Sequence, residues 1–481
     1  MHNLLQLPRL NGAALGSAYL LAALLPLLLA RAQSAAPMDR WEYAAAAMGI
    51  IALWGMAVQF VTSGRFEAVS GRLGIDKIMA FHKLAALWLV LALLLHPLAY
   101  VLPTSLDDPD LGWIRLQFYL TDPSYRTGVI SLGALGVLVA TSLLRDRLPW
   151  PYEAWRAAHL LLGLSAVLCG LHHAWAVGRF SAEGALAWFW ALVALAVLIV
   201  VLVLYGWRWW LLHRRPWRLE SVTKRADRMW ELDIQPGPGT PALTYHAGQF
   251  VWMTEGARRF PLFDHPFSIA DSPSREGLSL LIKEAGDFTN QIGNLPEGRV
   301  IGIDGPYGEF TLEAHPAEAL LLIGGGVGIA PIIGILRDMV ARRDTRPVRL
   351  AYAVGQPQNF ACLDELRAAT EKLDLQLWLL SEDPPDAPDM MHGRLTHARL
   401  TEMMKGLPPD TTKTLICGPG PMVVAVSDML LETGMPMRNV VYERFDYAGG
   451  ARSHQDRART RQMLGIGAIF LLIVTGFALS M

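Results

Sequence analysis

Four histidines lie at matching positions in two strongly apolar stretches of the sequence. His82 and His96 are 14 residues apart in FHKLAALWLVLALLLHP. His159 and His173 have the same separation in WRAAHLLLGLSAVLCGLHHAW. On a helix, 14 residues rise about 21 Å and return to within about 40° of the same face. Two such helices can hold two metal centres at different depths, each between one imidazole from each helix.

A bis-histidine heme fits this pattern, because a planar macrocycle fits between helices and offers two axial positions to nitrogen ligands. We expect an inner heme between His82 and His159, and an outer heme between His96 and His173. His172 is an alternative outer ligand: helical geometry turns it about 140° away from the ligand face, but a π-bulge would reverse that choice. The competing interpretation is that the histidines are structural polar residues. It is weakened because ionisable groups in a membrane are costly and usually functional.

The elements that position these histidines are membrane spans. The chain has 481 residues, of which 52% are hydrophobic and 18% charged, which is too apolar for an ordinary soluble protein. Stretches near 20 apolar residues, each long enough to cross a hydrocarbon core of about 30 Å as a helix, recur at 13–30, 41–62, 78–102, 127–144, 157–177 and 184–212. Residues 1–215 are therefore expected to form an all-α transmembrane bundle of six helices.

Basic residues predict the orientation of these spans. They follow the second, fourth and sixth spans, at Arg65, Arg72, Lys77, Arg145, Arg147, Arg156, Arg208, Arg214, Arg215 and Arg218, whereas the loop PTSLDDPDLG after the third span is acidic. The N-terminus and the soluble part are therefore expected in the cytoplasm, in a protein of the bacterial inner membrane. GSAYLLAALLPLLLARAQSAAP in the first span also resembles a cleavable signal peptide.

The remaining chain divides into three parts. Residues 216–316 alternate apolar and polar positions between turn signals, which is typical of antiparallel strands. Residues 317–450 alternate apolar strands with helical patterns, which indicates a parallel α/β sheet. Residues 451–481 combine a basic linker with LGIGAIFLLIVTGFALSM, an extra C-terminal transmembrane helix.

Two groups of short motifs in the soluble part could bind cofactors. FDHPFSIA offers Ser268 to a flavin ring or phosphate, and LIKEAGDFTNQI offers small residues and a hydroxyl at a helix start, which suit a pyrophosphate. LLIGGGVGIAP is a strand, a Gly-rich turn and a helix start that suit a dinucleotide. The candidate flavin residues are His265, Pro266, Phe267, Ser268, Lys283, Gly286, Asp287 and Thr289. The candidate nucleotide residues are Gly324, Gly325, Gly326, Gly328, Pro331, Cys417, Gly418 and Pro419.

HPFS, KEAGDFTN and DGPYGEF resemble the flavin-binding barrel of the ferredoxin-NADP reductase superfamily, and TLICGPGPM is similar to its motif that places a cysteine beside the nicotinamide. Together with the paired histidines, residues 45–447 resemble the NADPH oxidase and ferric reductase family of transmembrane flavocytochromes. The resemblance implies a β-barrel FAD domain and an NAD(P)-binding α/β domain. It also implies that Phe445 covers the flavin, although 36 residues follow it here. Oxygen-reducing members carry a further histidine where this chain has Tyr100, which puts direct superoxide production in doubt.

The expected function is electron transfer from cytosolic NADPH or NADH through FAD and two b-type hemes to an extracytoplasmic acceptor, either a ferric chelate or oxygen. Cys417, Ser268 and Phe445 are the expected catalytic residues. Acidic residues in LLSEDPPD and the absence of arginine in AYAVGQPQ favour NADH, or the use of both NADH and NADPH. The alternatives are a membrane-anchored flavin reductase that serves a quinone or protein partner, and a metal transporter with an appended reductase.

Composition also argues against other classes of protein. A net charge of −1 and the lack of a basic patch argue against nucleic-acid binding. The three cysteines are too few and too scattered for a disulfide framework or a zinc site. No obligate protein partner is indicated, so NAD(P)H, the electron acceptor and the lipid bilayer are the expected partners.

Overall fold

The computed structural model describes residues 22, 24–33, 39–63, 75–256, 259–444, 461, 465, 468–469 and 472–479. The chain divides into two compact units. The first contains residues 1–73, 77–206 and 460–481, and the second contains residues 74–76 and 207–459.

The first unit is built from helices. They are α1 (Arg40–Gln59), α2 (Ile75–Asp107), α3 (Pro109–Thr121), α4 (Arg126–Leu143), α5 (Tyr152–Val177) and α6 (Gly184–Val201). Among the described residues, five helical segments are long and apolar enough to cross a membrane: Arg40–Gln59, Phe81–Asp107, Pro123–Leu143, Tyr152–Val177 and Gly184–Arg214. α3 is a shorter helix between the second and third of these segments.

These segments form helices because an α-helix satisfies its own backbone groups, which a bilayer requires. Many of their large apolar side chains point outward, as do Leu91, Leu94 and Leu98 of α2. A buried cluster from several helices, which includes Ile51 and Trp190, forms the core of the unit. The outward apolar side chains are the lipid-facing surface expected of an integral membrane protein.

The predicted first and last membrane segments are described only in part. Residues 24–31 are helical, and Leu27 and Ala30 belong to the core of the first unit. Residues 472–479 are also helical, and the ring of Phe477 lies 6.1 Å from that of Phe180. The predicted basic linker at 451–460 lies outside the described residues. Five of the six predicted spans are therefore described as long helices. The described parts of both terminal segments pack on the same core.

The second unit starts with the end of the last membrane segment. A π-helix, Leu202–Trp207, precedes α7 (Arg208–Arg214). A six-stranded antiparallel sheet follows, in the order β4-β3-β6-β1-β2-β5. Its strands are β1 (Trp217–Ala226), β2 (Met229–Pro236), β3 (Phe250–Glu255), β4 (His265–Ser268), β5 (Leu278–Lys283) and β6 (Val300–Tyr307).

Within the described residues, the antiparallel sheet does not close into the predicted barrel. The two end strands of the sheet are β4 and β5, and a single bridge between Ile269 and Leu280 joins them. β4 has only four residues, and the chain beyond it packs on a neighbouring helix: a Cβ on Gly334 would lie 2.6 Å from the carbonyl oxygen of Ile269. The strand therefore leaves the sheet before a full closing ladder can form.

The second sheet is parallel, as the alternating strand and helix pattern predicts. Its order is β10-β9-β8-β7-β11-β12. The strands are β7 (Ala319–Gly325), β8 (Val348–Val354), β9 (Leu375–Ser381), β10 (Met390–His392), β11 (Thr412–Gly418) and β12 (Val440–Arg444). The helices of this part are α8 (Ile329–Arg342), α9 (Leu363–Ala369), α10 (His397–Met403) and α11 (Gly420–Glu432).

Arg337 of α8 joins the two sheets. Its Nη1 donates to Glu231 on β2 at 2.6 Å and to Ser279 on β5 at 2.9 Å. Its Nε and Nη2 donate to Glu365 at 2.7 and 2.8 Å. Burial alone would raise the pKa of Glu231, but the hydrogen bond and charge of Arg337 outweigh it and lower the pKa. This stabilisation is therefore present above the ordinary carboxylate pKa and is lost as the pH falls through the lowered value.

Replacing Arg337 with glutamine should destabilise the second unit by about 3 kcal/mol, because Glu231 then loses the charge that compensates its burial. For a unit of this size the thermal midpoint should fall by about 6–12 °C, measured by release of flavin fluorescence on heating. Arg394→Gln is the control, because its pair with Glu382 is largely exposed and contributes about 0–1 kcal/mol. Equal midpoints for the two variants would contradict the role given to Arg337.

Candidate functional site

The inner histidine pair lies between α2 and α5. The ring centroids of His82 and His159 are 6.3 Å apart, with planes tilted by 49°. Nδ1 of His159 is 3.1 Å from the hydroxyl of Ser142 on α4. Nδ1 of His82 is buried and forms no hydrogen bond with the described part of the chain. The two imidazoles thus face each other across a narrow space between the helices.

The outer pair is His96 and His173. Nδ1 of His96 is 2.7 Å from the carbonyl oxygen of Ala45 on α1. A carbonyl can only accept, so Nδ1 carries the proton and Nε2 keeps its lone pair, which is the state of a metal-ligating imidazole. His173 interacts electrostatically with His96, and its Nδ1 is buried without a partner among the described residues.

Two glycines make room for the outer rings. A Cβ on Gly49 of α1 would lie 2.8 Å from the ring of His96. A Cβ on Gly128 of α4 would lie 2.6 Å from Nδ1 of His173. A larger residue at either position would require the ring to move, so glycine suits both positions. Neither residue was predicted; a glycine within an apolar span was the available signal.

His172 points away from the outer pair. Its side chain is exposed, and its Nδ1 is 3.1 Å from the hydroxyl of Thr127. His173 is therefore the neighbour of His96 in this structure.

The donor set suits a heme better than a bare metal ion. Within the described ranges there is no group of three or more His, Cys, Asp or Glu side chains that could hold a metal. Each histidine pair supplies two nitrogens, the number that a bis-histidine heme takes from the protein. The hydrogen bond from Nδ1 of His96 to the carbonyl of Ala45 leaves Nε2 of that ring available to iron. The two pairs therefore have the donor chemistry that two hemes would need.

The candidate flavin residues line the edge of the antiparallel sheet. Ser268 is buried at the end of β4, opposite Phe250 of β3. His265, at the start of β4, stacks on Phe288 with ring centroids 4.2 Å apart and planes 7° apart. Phe267 lies 6.3 Å from the same ring. His265, Phe267 and Phe288 therefore form one aromatic wall, and Pro266 and Ser268 belong to the same strand.

The hydroxyl of Thr289 organises the neighbouring loop. It accepts hydrogen bonds from the backbone N–H groups of Ala285 at 2.8 Å and Gly286 at 2.9 Å. Thr289 begins a short 3-10 helix that ends at Asn294. The exposed side chain of Lys283 precedes this loop in the sequence, and that of Asp287 lies within it. Thr289 thus fixes the backbone of the candidate pyrophosphate loop.

The Gly-rich loop lies between β7 and α8. Gly324 and Gly325 end the strand, and Gly326 adopts a left-handed φ of 54°. A Cβ on Gly328 would lie 2.1 Å from the carbonyl oxygen of Cys417, so the loop can approach β11 only with glycine here. Pro331, in the first turn of α8, is also buried.

Cys417 lies beside this loop. It is buried near the end of β11, where it pairs with Gly324 of β7 and with Glu443 of β12. Gly418 ends β11, and Pro419 precedes α11. Ligands of open parallel sheets bind outside the carboxyl ends of the strands, which is where these residues lie. Phe445, the residue after β12, lies outside the described residues.

The flavin and nucleotide motifs meet at a residue that the sequence analysis missed. Gly308 of DGPYGEF has a φ of 97°, and a Cβ there would lie 3.1 Å from Phe250 and 3.4 Å from the carboxylate of Glu443. Phe250 pairs with Ser268, and Glu443 pairs with Cys417. Gly308 therefore connects the flavin wall to the strand beside Cys417.

A second missed contact links α7 to the flavin sheet. Nη1 of Arg208 donates to Asp304 at 3.0 Å, and the hydroxyl of Tyr307 donates to the other oxygen of the same carboxylate at 3.0 Å. Tyr307 stacks on Phe250 with centroids 5.7 Å apart. Phe250 in turn pairs with Ser268. Arg208 is thus connected, through Asp304, Tyr307 and Phe250, to the strand pair that contains Ser268.

Family models match three consecutive parts of the chain. Residues 48–170 match the ferric reductase like transmembrane component. Residues 229–311 match an FAD-binding domain, and residues 322–428 match an oxidoreductase NAD-binding domain.

Relatives of known name match the soluble part. The chain is 30% identical to the reductase component of propane 2-monooxygenase from Rhodococcus jostii, over 37% of this chain and 50% of that protein. It is 31% identical to sulfhydrogenase 2 subunit gamma of Pyrococcus furiosus, over 45% of this chain and 77% of that subunit. A solved flavohemoglobin from Malassezia yamatoensis is 17% identical with a TM-score of 0.44, covering 86% of this chain and 100% of that chain. The chain spans about half the length of the first of these relatives.

The matched models show an integral membrane protein that binds FAD and a nicotinamide nucleotide, and an NAD(P)H-dependent oxidoreductase. Their order along the chain is the order of the helical unit, the antiparallel sheet and the parallel sheet. The chain therefore belongs to the ferric reductase and NADPH oxidase family, with a ferric reductase-like transmembrane domain followed by FAD- and NAD-binding domains of the ferredoxin reductase type.

Proposed function

We propose that this protein transfers electrons from cytosolic NADH or NADPH, through FAD and two b-type hemes, to an acceptor on the outer side of a bacterial inner membrane. The observation that carries the proposal is that α2 and α5 each present two histidines, which pair as His82 with His159 and His96 with His173. One pair could be a structural contact. Two pairs at two depths of the same helices are suited to carry electrons across a bilayer.

A bound flavin would accept two electrons as a hydride and release them singly, whereas a heme carries one electron at a time. The protein's own residues bind and orient these groups. We assign the FAD to the wall of His265, Pro266, Phe267 and Ser268, with Phe445 as its cover. Lys283, Gly286, Asp287 and Thr289 belong to the loop that would hold the pyrophosphate.

We assign the nicotinamide nucleotide to the Gly-rich loop and to Gly418 and Pro419, with the nicotinamide beside Cys417. Burial beside the close contact with Gly328 shields this thiol from water. Cys417 therefore acts by packing against the ring and excluding water, and no acid or base step is needed from it.

The proposed domain arrangement follows the two sheets and the helices. Residues 1–215 form the heme domain, 216–316 the FAD domain, 317–450 the NAD(P) domain, and 451–481 the basic linker and C-terminal helix. β1 begins at Trp217 and β7 at Ala319, which supports the inner two boundaries. The basic residues after the even-numbered spans support a cytoplasmic location for the soluble domains.

The visible spectrum of the purified protein tests the proposal. We expect two low-spin b-type hemes that NAD(P)H reduces without added partners. His82→Ala and His96→Ala should each lose about half of the heme absorbance, because each removes one axial ligand of one heme. His172→Ala, a matched control one residue from His173, should keep the full spectrum. A protein that binds FAD and oxidises NAD(P)H but contains no heme would contradict the proposal.

Cys417→Ala should slow hydride transfer to FAD about tenfold, which is about 1.4 kcal/mol of lost orientation in the transition state. The measurement is the rate of flavin bleaching after rapid mixing with NAD(P)H. Cys362→Ala is the control, because Cys362 is also buried and burial raises the pKa of its thiol to about 12, so it is inert. If both variants bleach at the same rate, Cys417 does not contact the nicotinamide.

Asp304→Asn and Arg208→Gln should leave flavin bleaching unchanged and slow the heme reduction that follows about tenfold. The physical reason is that these residues orient the flavin sheet on α7 and take no part in hydride transfer. The exchange of Arg208→Asp with Asp304→Arg should restore the rate. Glu255→Gln, which breaks the exposed pair with Arg299 in the same sheet, is the control. A parallel loss of both rates would indicate general damage to the flavin site.

A further inference from the structure

Three tyrosines connect the two outer histidines. Ring centroids are 5.5 Å apart for His96 and Tyr100, 6.2 Å for Tyr100 and Tyr119, and 4.9 Å for Tyr119 and Tyr125. At the other end of this series, the ring centroid of Tyr125 lies 6.0 Å from that of His173, the second outer ligand candidate. We call Tyr100, Tyr119 and Tyr125 the tyrosine cluster. It contacts both members of the outer pair, so it is where electrons would leave the protein.

The helix α3 holds the cluster in place. Arg115 of α3 donates to Glu42 of α1 at 3.0 Å and to Thr104 of α2 at 2.8 Å. Gly112 packs so closely on Ser105 that a Cβ would lie 2.1 Å from its hydroxyl oxygen. These contacts tie α3 to both neighbouring helices and fix Tyr119 between Tyr100 and Tyr125.

The phenol groups of the cluster are available donors. Nε of Arg115 donates to the hydroxyl oxygen of Tyr119 at 3.2 Å, so that hydroxyl keeps its own proton to donate elsewhere. In the part of the chain that the structure describes, Tyr100 and Tyr125 have no hydrogen-bond acceptor for their hydroxyls either. All three side chains are partly exposed. A ligand with carbonyl oxygens could therefore accept hydrogen bonds here without displacing a protein group.

The outer face of α3 is apolar. Leu111, Ile114 and Phe118, at positions i, i+3 and i+7, are each about half exposed or more, at 51, 59 and 49%. They continue the exposed apolar surface of α2, which includes Leu102 and Leu106. An exposed apolar surface beside membrane spans marks a contact with lipid. The cluster is therefore reached from the lipid as well as from water.

Charge disfavours an anionic acceptor at the same place. Asp107, Asp108 and Asp110 are exposed around the start of α3. The guanidinium of Arg115 is already paired with Glu42. The charge of Arg179 also acts on Tyr100 and Tyr125, but the carboxylates outnumber it. The local charge is therefore net negative, and it would repel ferric complexes of carboxylate ligands while leaving neutral molecules unaffected.

We infer that the tyrosine cluster is the acceptor site and that its acceptor is a neutral, membrane-soluble quinone. The inference rests on the proposed function and names its acceptor. NAD(P)H gives up two electrons and releases one proton in the cytosol. The quinone takes two electrons and two protons from the outer aqueous phase, and both of its carbonyl groups become hydroxyls.

The test uses the full-length protein with its cofactors, reconstituted in neutral phosphatidylcholine vesicles. NAD(P)H oxidation is compared with ubiquinone-1, ferric citrate or oxygen as acceptor. We expect ubiquinone-1 to give at least about tenfold higher kcat/KM than ferric citrate. Tyr119→Phe should raise the KM for ubiquinone-1 about fivefold, the effect of one ordinary hydrogen bond. Calorimetric binding of ubiquinone-1 to the oxidised protein should weaken by the same factor.

Tyr43→Phe is the matched control, because it removes the same hydroxyl from a buried tyrosine whose ring contacts Phe180 outside the cluster. It should change neither the KM nor the binding. Anaerobic reduction of the hemes by NAD(P)H, without acceptor, is measured first and tests the proposed function separately.

With the hemes reducible, three outcomes would overturn the inference. The first is a preference for ferric citrate or oxygen over ubiquinone-1. The second is an unchanged KM for ubiquinone-1 in Tyr119→Phe. The third is a shifted heme spectrum in that variant with unchanged quinone binding, which would assign the Tyr119 hydroxyl to a heme propionate.

Discussion

An imidazole inside a bilayer needs partners for both of its ring nitrogens, and the helical unit is organised around that requirement. Water is absent there, and an unsatisfied polar group costs several kcal/mol. His96 meets half of the requirement through the carbonyl of Ala45, and His159 does so through the hydroxyl of Ser142. The proposed hemes would bind the opposite nitrogens, Nε2 of His96 and of His159. Nδ1 of His82 and of His173 is buried without a partner among the described residues.

This requirement also explains why small residues occur where the histidines are. Gly49 and Gly128 lie against the rings of His96 and His173, where a Cβ would come to 2.8 and 2.6 Å from ring atoms. Helices usually gain stability by burying large side chains, and a glycine within a helix costs about 1 kcal/mol relative to alanine. The bundle accepts that cost on both sides of the outer pair. The position of the imidazoles has therefore determined the packing of α1 and α4.

Much of this arrangement could be predicted from the sequence, because the residues concerned are close together in the chain. The spacing of His82 and His96 is local, and 14 residues of helix fix their relation without knowledge of the fold. The same holds for the Gly-rich loop, whose strand, turn and helix are contiguous. Gly49, Glu443 and Asp304 were not predicted, because each contacts a residue more than 40 positions away in the chain. The barrel expected from the resemblance is a sheet whose end strands are joined by one bridge. β4 has only four residues, and the chain after it packs on α8.

The two ends of the proposed electron path, in the soluble unit and at the outer histidine pair, contain different kinds of contact. On the soluble side, charged pairs predominate: Arg208 with Asp304, and Arg337 with Glu231 and Glu365. Arg337 connects the FAD- and NAD-binding parts of the second unit, and Arg208 connects α7 to the flavin sheet. At the outer pair the contacts are between aromatic rings, and the helix that holds them has exposed apolar side chains. Aromatic contacts do not depend on an aqueous dielectric, so they keep their geometry at a membrane surface. The proposed transfer from a water-soluble hydride donor to a membrane-soluble acceptor would make use of this difference between the two ends.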